Sequence, residues 1–229
     1  MRLRIVGLLV MVAGVAVSAW LARPRPLALA ASLDAAFAEA RAHERWVVVH
    51  VRRADRPLGA QMDRDTLADP AFARAARDGF VHARLDAASE GARVAPPLAP
   101  GVALATLVTD ADGAIVGELD GFATTAELTA FLARVRARAD ALRDAGTPAL
   151  VRAEIVLDLG ANAAAERLLA SLPDEARTLL LRGRLELARG HVDAARRGLE
   201  AVVARYPATP SARDAARLLE SNRVQNGSR

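Results

Sequence analysis

The chain has 229 residues, of which 52% are hydrophobic and 25% charged, a composition typical of a globular protein with one medium domain and room for a smaller one. It contains no cysteine, which excludes disulfide bonds, thiolate metal ligands and thiol–disulfide exchange by this chain. All 31 basic residues are arginine and the net charge is +4, but no basic tract is interleaved with stacking aromatic residues, so nucleic-acid binding is not expected.

An uncharged, apolar segment of 18 residues lies near the N-terminus, at 5–22. A signal-peptide core usually has about 7–15 residues and a membrane helix about 20. The sequence ALA at 28–30 resembles a cleavage site, but arginine and proline separate it from the apolar segment. We therefore expect residues 1–30 to be an uncleaved signal anchor with a membrane helix at 5–22; a cleaved signal peptide is the alternative.

The charges around this segment indicate how it would be oriented. Arg2 and Arg4 favour a cytoplasmic N-terminus, although Arg23 and Arg25 on the other side weaken the argument. The expected location is the inner (cytoplasmic) membrane, as a single-pass protein with its soluble part periplasmic or extracellular. Secretion to the periplasm after cleavage is the alternative.

A helix and then a buried strand are predicted next. Ser32 is a residue type that caps helices, and the following apolar residues recur at helical spacing through residue 45. Residues 46–51, WVVVHV, form a continuous β-branched run typical of a strand covered on both faces. After a charged turn, the sequence predicts helical pieces at 62–69 and 70–78 and a second strand at 79–87.

A loop rich in proline and glycine follows at 88–101. Two further strands, 102–110 and 114–121, are separated by the turn sequence DADG and are expected to form an antiparallel hairpin. A helix is predicted at 124–146, with Thr125 as its cap. The predicted order is α-β-α-β-β-α, and helices must cover both faces of such a sheet.

Only helical patterns remain from Thr147 onward, and they repeat with an offset of 30 residues. Three pairs of positions match: Gly160 with Gly190, Ala165 with Ala195, and Leu169 with Leu199. A small residue where two helices cross and a large one a turn later is what packed helical hairpins require. A last amphipathic helix is predicted at 211–221, and residues 224–229 are predicted to be a frayed tail.

The segments WVVVHV, QMDRDTLADPAF, GFVHARLDA and ATLVTDADGAIVGELDGF resemble, in order and spacing, the exported bacterial type of the thioredoxin-like superfamily. The resemblance implies a mixed four-stranded sheet flanked by helices over residues 31–143. It places the two family cysteines at Arg56 and Gly59, with Pro57 and Leu58 between them, and the family's cis-proline at Ala105. Since both hallmarks are missing, it implies a redox-inactive domain without catalytic residues, cofactor or metal.

The C-terminal part resembles tetratricopeptide repeats. Residues 179–207 match one repeat through Gly183, Gly190, Ala195, Leu199 and Pro207. The earlier copy is shorter, so residues 147–223 are interpreted as one good repeat, one degenerate repeat and a capping helix, an all-α helical-hairpin repeat domain. The resemblance implies that this part binds protein partners.

Two groups of polar residues are candidate sites. Arg52, Arg53 and Arg56, near a helix start, could contact an anion or an acidic peptide; the alternative is a solvated charged turn that Asp55 partly neutralises. His50 and His82 are both on strands and could be neighbours, but a third metal ligand is missing at an obvious spacing. We therefore expect structural histidines.

These observations favour a membrane-anchored, extracytoplasmic binding or assembly protein and not an enzyme. The unknown protein partner would bind through the helical repeats or the degenerate thioredoxin groove. One alternative is a docking or chaperone subunit of a thiol–disulfide or cytochrome-maturation pathway whose cysteines are on a partner. A third possibility is an unrecognised enzyme that uses His50 or His82.

Overall fold

The structure is a computed structural model that describes residues 26–90, 93–94 and 102–227. The predicted membrane helix at 5–22 lies outside these ranges. Within them, no helix has both the length and the apolar character needed to cross a membrane.

Four strands and eleven helices make up the described chain. The strands are β1 (Trp46–Arg52), β2 (Phe80–Asp86), β3 (Leu104–Thr109) and β4 (Ile115–Asp120). The helices around them are α1 (Leu33–His43), α2 (Pro57–Met62), α3 (Pro70–Ala75), α4 (Ala87–Glu90), α5 (Thr125–Ala137) and α6 (Ala139–Arg143), and a π-helical turn, Asp63–Leu67, joins α2 to α3. The C-terminal helices are α7 (Ala149–Asp158), α8 (Asn162–Ala170), α9 (Ala176–Ala188), α10 (Val192–Arg205) and α11 (Pro210–Gly227).

The strands form one mixed sheet in the order β2-β1-β3-β4. Strand β1 pairs in parallel with β2 and antiparallel with β3, and β3 pairs antiparallel with β4. The parallel pair is joined by the helical crossover α2–α3, and the antiparallel pair by a tight turn with Gly113 at φ 88°. The predicted mixed four-stranded sheet flanked by helices is therefore confirmed, and its connectivity is that of a thioredoxin-like fold.

Helices cover both faces of the sheet, as the unbroken apolar run in β1 predicts. Successive side chains of a strand point to opposite faces, and six of the seven β1 residues are buried. Helix α5 packs on one face so closely that a Cβ on Gly117 would lie 3.1 Å from Phe131 Cζ. On β4, the Glu118 N–H donates to the Leu159 carbonyl at 2.9 Å, which ties the start of the helical region to the sheet.

Three helix ends differ from the sequence predictions. The first piece after β1 begins at Pro57, not at residue 62, since proline suits the first helical position. Helix α5 is capped by Thr124, not Thr125, because Thr124 and Glu127 form a reciprocal capping box. The helix predicted to reach 146 breaks at Arg138, whose φ of −108° and ψ of 1° separate α5 from α6.

Two helical hairpins, α7–α8 and α9–α10, share one turn geometry. In each, a glycine with positive φ, Gly160 or Gly190, follows the first helix. The next residue donates its N–H five residues back, Ala161 to Val156 and His191 to Glu186, both at 2.9 Å. The turns are 30 residues apart, as the sequence offset predicts. Helix α11 then packs against α10 and continues to Gly227.

The core is continuous from the sheet into the helical region. The main hydrophobic cluster contains the sheet residues and also buried residues of α7, α8 and α9, among them Ile155, Leu169 and Leu185. A second, smaller cluster lies between α9, α10 and α11; its buried members are Leu180, Leu199, Val202, Ala212 and Ala215. The hairpin α7–α8 therefore packs into the same hydrophobic core as the sheet.

Candidate functional site

The positions where the sequence resemblance places a redox motif lie at the start of α2, directly after β1. Arg56 is the N-cap and is exposed, and Pro57 is the first helical residue. Among the described residues, Leu58 and Val192 are the exposed large hydrophobic side chains, and Leu58 is 50% exposed. Gly59, by contrast, is buried. The turn therefore presents the cation of Arg56 at the first position where the resemblance places a cysteine, and the apolar side chain of Leu58 between the two positions.

At Gly59, where the resemblance places the second cysteine, a side chain would be tightly crowded. A Cβ on Gly59 would lie 3.0 Å from the Cβ of Arg52, a separation that real Cβ atoms rarely show. Arg52 is held in place, since its Nη1 donates to Asp63 Oδ2 at 3.0 Å. The other oxygen of Asp63 is 3.1 Å from Arg84 Nη2. Within this arginine–aspartate–arginine bridge, the side chain of Arg52 occupies the space beside Gly59.

The three arginines predicted to contact an anion have different surroundings. Arg52 is paired with Asp63, and Arg53 donates from Nε and Nη2 to the two oxygens of Asp55, both at 3.0 Å. That bidentate pair lowers the pKa of Asp55. Within the described ranges, no side-chain hydrogen bond or ion pair involves Arg56. Arg56 is therefore the member of this trio with its guanidinium open to a partner.

The position of the family's proline lies within a strand. Ala105 is the second residue of β3, opposite Val51 on one side and Asp120 on the other. It is 1% exposed. The Arg53 N–H donates to the Ala103 carbonyl at 3.0 Å, which extends the β1–β3 pairing toward the turn. The side chain of Ala105 consequently packs in the core.

His50 and His82 are neighbours in the core, as their placement on strands allowed. His50 Nε2 lies 3.1 Å from His82 Nδ1, and the rings stack with centroids 5.4 Å apart. His82 Nε2 lies 2.9 Å from the Ala76 carbonyl oxygen. Because a carbonyl can only accept, His82 Nε2 carries the proton, its Nδ1 accepts, and His50 Nε2 donates. His50 Nδ1 is then an acceptor, and it is buried without a hydrogen-bond partner.

This geometry makes the two histidines neutral core residues. They are 4% and 3% exposed, and the edge of Phe72 faces both rings. Burial lowers the pKa of His82 to about 4 and that of His50 well below its usual value; the neighbouring His82 and Arg84 lower the His50 pKa further. In the described part of the chain, no group of three or more His, Cys, Asp or Glu side chains could hold a metal ion.

The helical region forms a groove of about 750 Å³ between α7, α9 and α11. Its charged residues are already paired with one another: Arg177 with Glu154, Arg217 with Asp214, and Arg184 with Asp158 at 2.6 Å. Leu180, Leu181 and Leu218 also line it. The groove therefore offers apolar contact rimmed by compensated charge.

A separate cleft of about 360 Å³ lies at the other end of β1 from the degenerate motif. Sequence reasoning did not find it, because its lining comes from strands and helices far apart in the chain. The lining residues are Trp46, Asp110, Ala114, Ile115, Val116, Leu142, Arg152, Val156, Ala164, Arg167, Leu168 and Ser171.

Glu118 on β4 was also missed. Burial raises its pKa to about 7, and the charge of Asp120 and a hydrogen bond with it act in the same direction. The two carboxyl groups are two residues apart on one strand and so share a face. That i, i+2 spacing in a predicted strand was the available signal.

No protein-family model matches the chain, and no curated protein matches it. A solved structure that resembles it is a thioredoxin from Thermus thermophilus. The two share 26% identical residues, the match covers 52% of this chain and 95% of that chain, and the TM-score is 0.43. The thioredoxin-like fold of this chain rests on its own strand order and pairing.

Proposed function

We propose that this chain is a non-catalytic binding or assembly protein, anchored in the cytoplasmic membrane by residues 5–22 with its folded part outside the cytoplasm. In this proposal the thioredoxin-like domain is redox-inactive and offers a docking surface. The helical region, with tetratricopeptide-like hairpins, offers a second contact. No cofactor is needed for either.

The observation that carries the proposal is the filled redox position. The chain has no cysteine, and at Gly59 the packing of Arg52 would crowd any side chain, since an added Cβ would lie 3.0 Å from the Cβ of Arg52. Arg52 is fixed by Asp63, which also pairs with Arg84. Residues 56–59 therefore form a packed turn without sulfur. Such a turn is compatible with docking and not with disulfide chemistry.

The docking surface that we propose consists of Arg56 and Leu58. Leu58 is half exposed, and Arg56 has no side-chain partner among the described residues. A partner segment with an apolar residue next to a carboxylate would complement both. A hydrogen bond from a guanidinium to a carboxylate is roughly twice as strong as a neutral one, so Arg56 would give the contact its charge specificity.

Photo-crosslinking in membranes tests this surface. A photoreactive residue at Leu58 is expected to capture a discrete partner, and the adduct should disappear when Arg56→Glu is added. Arg213→Glu is the matched control, since Arg213 is exposed on α11, far along the chain from the turn. The same probe at Val192, the other exposed large apolar residue reported, controls for nonspecific capture.

Three outcomes decide between the readings. An adduct at Leu58 that survives Arg56→Glu, or one equally strong at Val192, would refute the docking surface. A captured partner that carries a Cys-x-x-Cys motif would favour the docking or chaperone subunit of a thiol pathway. Reduction of insulin disulfides by the purified chain, without added thiols, would overturn the non-catalytic assignment itself.

A further inference from the structure

Two residues that line the cleft at the start of β1 carry buried hydrogen-bond donors without a partner. Trp46 is 4% exposed, and its indole N–H is buried without a partner. Arg152 also lines the cleft, and its Nε–H is likewise buried and unpartnered. Buried N–H groups are almost always hydrogen-bonded in proteins, and leaving one unpaired costs about 1–3 kcal/mol. Two in the lining of one cleft indicate that an acceptor belongs there.

The charge of the cleft favours an anion. Arg152 donates from Nη2 to the carbonyl oxygens of Leu142, at 2.6 Å, and Asp144, at 3.5 Å, but no carboxylate in the described chain pairs with it. Arg167 is exposed and has no side-chain hydrogen bond or ion pair within the same residues. The lining therefore contains two guanidinium groups and one carboxylate, that of Asp110.

Asp110 is already engaged by the hairpin turn. Its Oδ1 accepts from the N–H groups of Asp112, at 3.0 Å, and Ala114, at 2.8 Å. It therefore shapes the turn that forms one wall of the cleft. A cationic ligand would meet one occupied carboxylate and two arginines, whereas an anion would meet the same two arginines and the unpaired indole N–H of Trp46.

The other lining residues are mainly apolar, with Ser171 carrying the one hydroxyl group: Ala114, Ile115, Val116, Leu142, Val156, Ala164, Leu168 and Ser171. The volume of about 360 Å³ is near the lower end of the range of roughly 300–1,000 Å³ for ligand pockets. That size fits a small molecule better than a polypeptide segment. A mainly apolar lining with a few convergent polar groups is the usual design of such pockets.

We propose that this cleft binds a small aliphatic monocarboxylate, whose carboxylate accepts hydrogen bonds from Trp46 and Arg152 while Arg167 neutralises its charge. The aliphatic body would lie against Ile115, Leu142 and Leu168. The site is at the opposite end of β1 from Arg56 and Leu58. Trp46 and Arg52 are the first and last residues of that strand, so the two sites are about 20 Å apart at roughly 3.3 Å per residue.

Binding of hexanoate to the full-length chain tests the proposal. The probe is the indole ¹H–¹⁵N NMR signal of Trp46, assigned with a Trp20→Phe chain because the sequence has two tryptophans. Hexanoate is expected to shift this signal downfield and saturably, since the indole N–H gains an acceptor. Hexanol should bind at least about tenfold more weakly, because it lacks the charge, and hexylammonium should not shift the signal.

Arg167→Gln is the second test, because this exposed side chain has no hydrogen bond or ion pair among the described residues. It is expected to weaken hexanoate binding about three- to tenfold and to leave the already weak binding of hexanol unchanged. Arg64→Gln is the control: Arg64 is also exposed, has no side-chain partner among the described residues and does not line the cleft. An unmoved Trp46 signal, equal affinity for hexanoate and hexanol, or equal effects of the two substitutions would each overturn the proposal.

Discussion

His50 and His82 are a hydrogen-bonded pair with defined tautomers, buried in a core that disfavours their charged forms. Burial lowers the pKa of His82 from 6.5 to about 4, and the pKa of His50 is lowered too. In the unfolded chain both would bind protons below about pH 6.5. The unfolded state therefore takes up more protons than the folded state between pH 6.5 and about 4, and folding stability falls as the pH falls through that range.

The double substitution His50→Leu/His82→Leu is expected to flatten this pH dependence. His82 alone accounts for about 3 kcal/mol between pH 6.5 and 4, at about 1.4 kcal/mol per pKa unit. At pH 8 the variant should be less stable by about 1–3 kcal/mol, since the Ala76 carbonyl loses its donor. Urea unfolding at several pH values measures both effects. An acid loss as steep as in the parent chain would contradict the assignment.

Glu118 is expected to have the opposite pH dependence. Its pKa in the folded chain is about 7, against an ordinary value of 4.5. The folded state therefore holds the extra proton between pH 4.5 and 7, and stability falls as the pH rises through that window. Glu118→Gln should raise the free energy of unfolding at pH 8 by about 1 kcal/mol, a value reduced for partial solvent exposure. At pH 4.5 the substitution should change little.

The two effects overlap between pH 4.5 and 6.5 and oppose each other there. The parent chain should consequently show a shallower acid loss than the histidines alone would cause. In Glu118→Gln the loss toward low pH should become steeper, because the compensating carboxyl is gone. A gain from Glu118→Gln that is the same at pH 4.5 and pH 8 would show that its proton is not linked to folding.

At the scale of elements, α9 and α10 cross at a pair of glycines with unequal surroundings. A Cβ on Gly183 would lie 2.7 Å from Leu199 Cδ2 and 2.9 Å from Leu199 Cγ, and Leu199 is fully buried. A Cβ on Gly198 would meet nothing closer than the Gly183 Cα, at 3.9 Å. Of the two glycines, Gly183 is therefore the one whose missing side chain allows the helices to approach.

Gly183→Ala is expected to destabilise the chain by about 1–3 kcal/mol, as overpacking does. Gly198→Ala is its matched control and should stabilise by up to about 1 kcal/mol, because alanine is the better helix former. Thermal unfolding followed by circular dichroism measures both changes. If Leu199 is the obstacle, adding Leu199→Val to Gly183→Ala should recover part of the loss. Equal effects of the two alanine substitutions would refute the close crossing.

The elements most fully predicted from the sequence are those whose signal is local. WVVVHV indicated a strand buried on both faces, and DADG indicated the hairpin that follows β3. The cap of α5 was misassigned although its signal was present: Thr124 stands three residues before Glu127, the spacing of a capping box, whereas Thr125 does not.

The candidate sites show the limit of local patterns. The three arginines of the turn look equivalent in sequence, but Arg52 and Arg53 are paired and Arg56 is not. The partners Asp63 and Arg84 come from the π-helical turn and from β2, so only the folded chain brings them together. The cleft beside Trp46 depends on four or more elements meeting, which no spacing along the chain encodes.

At the scale of the whole molecule, the helical region is not an independent appendage. Five large side chains of α7 and α8 and the turn between them are buried in the main cluster, namely Ile155, Val156, Leu157, Leu159 and Leu169. At about 2 kcal/mol for each buried side chain, their removal would cost about 10 kcal/mol. That is comparable with the total stability of a typical domain, about 5–15 kcal/mol.

Truncation tests this integration. A chain that ends at residue 146 is expected to lose cooperative unfolding, because it lacks the side chains of α7 and α8 that are buried in the main cluster. A chain that ends at residue 174 keeps α7 and α8, and should unfold cooperatively at reduced stability. Urea unfolding of the two chains beside the full-length protein measures the difference. Cooperative unfolding of the shorter chain at parent-like stability would show that residues 26–146 fold alone.

The short stretch before α1 also has a consequence for where the molecule would lie. Leu29 bridges His82 of β2 in parallel, and the Ala30 N–H donates to the His82 carbonyl at 2.7 Å. If residues 5–22 span the membrane as proposed, only six residues, 23–28, lie between the end of the span and Leu29. The seven steps from residue 22 to Leu29 span at most about 25 Å, at about 3.6 Å per residue. Strand β2 would therefore be tethered close to the bilayer surface. Single cysteines can be introduced into this cysteine-free chain and spin-labelled, one on β2 and one on α11. Their distances from the lipid would show whether β2 is tethered in this way.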